Sequence, residues 1–119
     1  MAAITMPQII GIYQNALDVY DGKTKIIDAI TNMTLLGMHQ KSARMYLVAA
    51  NAMLEGTHYG STINEKATVY FLDRILDDFG ADGLKRALTA MKSHLDYQTG
   101  RNNLPGLLSV YNEYSESLG

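Results

Sequence analysis

Four glycines, Gly22, Gly56, Gly80 and Gly100, cut this chain into segments whose apolar residues recur every three or four positions. That interval repeats on one face of an α-helix, and a glycine just past the last apolar turn suits a left-handed helix C-cap. No run of strand length alternates apolar with polar residues. The pattern predicts an all-α protein, a compact bundle of five or six helices with short loops. A length of 119 residues fits one helical domain spanning 1–119, large enough to bury a core without staples.

The segments can be taken in turn. Thr5 is the expected N-cap of a helix over 7–20, with Pro7 in its first turn and Ile9, Ile10, Tyr13, Ala16, Leu17 and Tyr20 on one stripe. Thr24 is expected to cap a short helix over 25–34, with Ile26, Ile27, Ala29 and Ile30 as its apolar set. A longer helix over 40–54 follows, burying Ala43, Tyr46, Leu47, Ala50, Met53 and Leu54. Next comes EGTHYGSTIN, the one polar, glycine-bounded loop of substance. Thr62-Ile63-Asn64-Glu65 matches a capping box and opens a helix that Gly80 ends. Asp82 is expected to cap another, reaching Gly100, and Asn103 with Pro105 to start the last, with Leu107, Leu108, Tyr111 and Tyr114 inward. The helices ending DVYDG and AMLEG share an acidic-Gly end, a hint of a repeat.

Composition narrows the function. With no cysteine, a disulfide scaffold, cysteine-based zinc sites and thiol chemistry are excluded together. The three histidines, His39, His58 and His94, show no metal-binding spacing such as H-x-x-x-H, so neither metal nor other cofactor is expected. Asp73, Asp77, Asp78 and Asp82 read as a solvated helix face. There is no G-x-S-x-G elbow and no phosphate-cradling glycine loop, so the sequence argues for a binder and against an enzyme. The N-terminal stretch lacks the features of an export signal, and no run approaches the ~20 apolar residues of a membrane span. A cytoplasmic protein without membrane contact is the expectation.

Charge is balanced overall, at −2, yet opposed locally: residues 71–82 carry −3 and residues 84–92 carry +3. Such patches suit docking by complementary potential, and equally suit solubility. His39, Lys41 and Arg44 open the third helix after a tight glycine turn, the order of a helix-turn-helix, although a plain helical hairpin has the same order. In the loop, His58 and Tyr59 stand between Gly56 and Gly60, and Thr57, Ser61 and Thr62 place hydroxyls before a helix N-terminus, where an anion is favoured. The alternative is a loop whose Tyr59 packs on the bundle and whose Thr62 only caps. Tyr111, Tyr114 and Leu118 either seal the monomer or form a homodimer contact.

The string YLVAANAMLEGTHYGSTINEKATVYFLDRILDDFGADGLKRALTAMKSHLDYQTG resembles a helical module at the N-terminus of HNH-type restriction endonucleases, including modification-dependent, McrA-like enzymes. The shared elements are Met53 to Gly56, Tyr59 with Thr62-Ile63-Asn64, Tyr70-Phe71, Asp78-Phe79-Gly80 and the helix from Ala87 to Tyr97. The resemblance implies a non-catalytic binding module connected with bacterial or phage defence, recognising nucleic acid or a nuclease partner. The alternative is a phage-type anti-defence inhibitor that binds a host defence protein or sequesters a nucleotide signal. Candidate ligand- or nucleic-acid-binding residues are His39, Lys41, Arg44, His58, Tyr59, Thr62, Asn64 and Arg101.

Overall fold

The computed structural model describes residues 4–100 and 104–118. Among them the chain is all-α: five helices and no strand. By its contacts it divides into two compact units, residues 1–51 and 52–119, and helix α3 runs across that division. No helix among the described residues is long and apolar enough to cross a membrane.

In the first unit, α1 (Met6–Tyr20) opens with a reciprocal cap. The Thr5 hydroxyl accepts from Gln8 N–H at 3.3 Å, while Thr5 N–H donates to the Gln8 side chain at 3.0 Å. The helix closes as expected: Gly22 has φ +75°, and Lys23 N–H reaches back to the Asp18 carbonyl. Its buried face is Ile9, Ile12, Tyr13 and Ala16. Ile10 and Tyr20, expected inside, are exposed, because Ile12 carries the stripe one turn on from Ile9 and turns Ile10 away by about 100°.

Helix α2 (Ile26–Leu35) starts one residue later than the sequence suggests. Lys25 is its N-cap, without a side-chain bond, so Thr24 does not cap it. The Lys25 carbonyl accepts from the N–H groups of Asp28 and Ala29. Ala29, Ile30 and Met33 are buried, whereas Ile26 and Ile27 face solvent. Gly11 lets α2 come close, since a Cβ there would lie 2.9 Å from Leu36 Cδ1 and 3.2 Å from Met33 Sδ. The Gln8 side chain also donates to the Leu36 carbonyl at 3.1 Å, and Asn32 donates to Asn15 at 3.0 Å. Helix α3 (Gln40–Glu55) buries the six residues its periodicity assigns, along with Ala49, Asn51 and Ala52.

In the second unit, α4 (Glu65–Gln98) is one long run interrupted at Gly80, whose φ of 72° and ψ of −163° are not helical. Two helical arms result, as the placing of Gly80 suggests, and the second resumes at once, with Asp82 inside its first turn. Asn64, not Thr62, is the N-cap: its side chain accepts from Ala67 N–H at 2.8 Å. Helix α5 (Pro105–Ser117) begins on Pro105 and buries Leu107 and Val110, leaving Leu108 exposed. It runs beside the first arm of α4 in the same direction, with Gly106 against the Glu65 carboxylate and the Tyr114 hydroxyl donating to Asp73 at 2.6 Å. Asn103, the expected start of this helix, lies outside the described residues.

Candidate functional site

The loop between α3 and α4 is held by the second arm of α4, and the residue that holds it is His94. Its ring is buried, 1% exposed, and stacks on Tyr59 with centroids 4.5 Å apart and planes 8° from parallel. Its Nδ1 lies 2.8 Å from the Tyr59 carbonyl and its Nε2 lies 3.0 Å from the Thr62 hydroxyl. A carbonyl can only accept, so Nδ1 carries the proton, and in the neutral ring Nε2 accepts from Thr62. Burial lowers the pKa of His94; the Tyr59 carbonyl opposes that shift and the nearby His58 adds to it. One turn on, Gln98 donates to the Gly60 carbonyl at 3.2 Å.

His58 sits on the same arm from outside. Its Nδ1 is 2.8 Å from the Ser93 hydroxyl, and its ring meets Tyr97 edge-on at 5.3 Å. A serine beside an imidazole is the beginning of a nucleophilic pair, which no sequence motif signals because 35 positions separate the two. Ser93 lies within the second arm of α4, whose backbone N–H groups are taken up by helical hydrogen bonds. The pair clasps the loop to that arm.

The expected site residues fall into two groups, one in each unit. In the second unit, His58, Tyr59 and Thr62 come together on α4, with Tyr59 buried and its hydroxyl pKa raised by that burial. Asn64 caps the helix. In the first unit, Lys41 and Arg44 project into solvent from the front of α3, and the exposed His39 turns its Nδ1 to accept from Lys41 N–H at 3.2 Å. Arg101 lies outside the described residues.

A feature not expected from the sequence lies on the other side of the second arm. A groove of about 560 Å³ runs between it and α5. Lys85, Thr89, Lys92 and Ser93 form one wall, Leu88 and Tyr111 with Leu118 supply apolar surface, and Asp96 and Ser115 complete the lining. Lys92 pairs with Asp96 at 3.3 Å across an exposed i, i+4 interval, a weak and exchangeable contact. The Lys85 ammonium has no hydrogen-bond or ion-pair partner among the described residues. The +3 stretch is visible in the sequence, and the 85, 89, 92, 96 spacing puts it on one ridge, but nothing there reveals that α5 stands opposite.

Among the described residues no group of three or more His, Asp or Glu gathers as metal ligands. Comparison with protein-family models, with curated proteins and with solved structures found no match.

Proposed function

We propose that this chain is a non-catalytic binding module that recognises nucleic acid, with the groove between α4 and α5 as its contact surface. The observation that carries this reading is the groove itself: an unpaired lysine, a second lysine in a weak pair and several hydroxyls beside apolar surface. Phosphate contacts of this kind supply sequence-independent affinity, and hydroxyls next to lysines fix the register of the backbone. The loop from Gly56 to Asn64 adjoins the groove, since the Ser93 that His58 contacts belongs to the groove wall. The connection with bacterial or phage defence rests on the resemblance of residues 46–100 to the endonuclease module.

The test is the affinity of the whole chain for a short labelled oligonucleotide across a salt series. Binding should weaken steeply with salt, and Lys85→Ala should reduce the magnitude of the log–log slope by about one. A complete lack of binding at low salt overturns the reading.

A second reading, a protein partner such as a nuclease or a host defence protein, is favoured by a different observation. In the first unit Ile27, Leu35 and Leu36 are 64%, 79% and 53% exposed, which is unusual for large aliphatic side chains on one short helix and its end.

A further inference from the structure

We infer that the α4–α5 groove takes an unpaired nucleotide, with its phosphate at Lys85 and its base against Tyr111 and Leu118. This rests on the nucleic-acid reading above and narrows it to one chemical form. Two properties of the groove lead there. It is amphipathic, with a cation and hydroxyls along the α4 ridge and an aromatic ring with two leucines as its apolar surface. A duplex offers phosphates but keeps its base faces stacked inside, so the apolar surface of such a groove would have nothing to cover. A single strand or a free nucleotide offers both, because every base has a flat face that an aromatic side chain can meet.

The second property is size. About 560 Å³ lies within the range of small-ligand sites, in an open groove that a nucleotide can enter from solvent. The charges also grade along the groove. Asp96 neutralises Lys92 at one end, whereas the Lys85 ammonium at the other has no partner among the described residues, so an anion is drawn to the Lys85 end. Thr89 stands one turn from Lys85; its hydroxyl proton goes to the Lys85 carbonyl at 3.0 Å, so its oxygen is an acceptor suited to a sugar hydroxyl, and the Lys85 ammonium is the donor to the phosphate.

The experiment measures binding of the full chain to a labelled single strand, to a hairpin duplex of the same sequence, and to an unlabelled nucleoside monophosphate as competitor. The single strand should bind at least about tenfold more tightly than the duplex, and Tyr111→Leu, which keeps apolar volume but removes the ring, should weaken the single strand by about tenfold. Lys85→Ala should weaken both nucleic acids, and a thermal melt of each variant separates lost contact from lost fold. Competition by the monophosphate at affinity equal to the strand's assigns the free nucleotide as the natural occupant; a strand that binds much more tightly assigns the strand. Both of those results support an unpaired nucleotide. Equal binding of single strand and duplex, with Tyr111→Leu unchanged, overturns the inference while leaving the nucleic-acid reading standing. Absence of binding to all three probes overturns both.

Discussion

At the scale of the residue, His94 is the position on which most depends. Its two ring nitrogens and its face engage three groups of one loop, so removing it leaves the Tyr59 carbonyl and the Thr62 hydroxyl without their partner and opens a void under the Tyr59 ring. His94→Ala should cost about 2–4 kcal/mol of stability, measured by urea unfolding. The ring is also a titrating group with a lowered pKa. Below its ordinary value of 6.5 the unfolded chain takes up a proton that the folded chain resists, so this contribution is complete above 6.5 and is lost as the pH falls toward the folded value. Urea melts recorded above and below 6.5 should show stability falling with acid, and His94→Gln should show a smaller fall. An unchanged slope in that variant would show that other groups account for the acid sensitivity. In the sequence His94 is a lone helical histidine, a structural type, and its partners are hidden by separations of 32 and 35 positions.

Among the elements, α4 shows what periodicity can and cannot tell. Of the residues the three-to-four repeat turns inward, Ala67, Phe71, Ile75, Leu84, Ala87, Leu88 and Met91 are buried, whereas Tyr70, Phe79 and Leu95 are half-buried. Its N-cap lies two residues beyond the one the capping-box pattern suggests, because Thr62 and Asn64 are both good caps and Glu65 sits three places after the first of them. The tie is broken by His94, which takes the Thr62 hydroxyl and leaves the cap to Asn64. Gly80 ends the first of two helical arms, as its place after the apolar stripe suggests, and the second arm resumes without a loop between them. Its φ and ψ fall in a region that only glycine occupies readily, and a Cβ there would meet nothing within 4 Å. Gly80→Ala should therefore cost about 1–3 kcal/mol through backbone strain alone. Gly83 is the opposite case, buried with its missing Cβ against Phe79, so any loss in Gly83→Ala comes from overlap. A rise in the melting temperature of Gly80→Ala would mean that α4 runs straight in solution.

For the whole molecule, the near-balance of charge sets how it behaves with other copies of itself. The sequence pI is about 5.8, so mild acid removes the net charge in the same range in which His94 begins to oppose folding. With Ile27, Leu35 and Leu36 exposed, turbidity on slow acidification should peak near that pH and clear above neutrality, and Leu35→Lys should reduce the peak. Fold class is legible in the chain because helical periodicity is local. The groove is not, because its two walls come from segments whose separate patterns, a basic ridge on α4 and a tyrosine-leucine face on α5, say nothing about facing each other. The clasp on the loop carries a final consequence, for proteolysis. The Glu55–Asn64 connection looks like an easy target for cleavage, with its glycines and polar residues. Its backbone is nevertheless tied at the Tyr59 and Gly60 carbonyls to a helical arm more than thirty residues further along the chain. A protease must wait for that arm to let go, so the rate of nicking in this loop reports how often the second arm of α4 releases it.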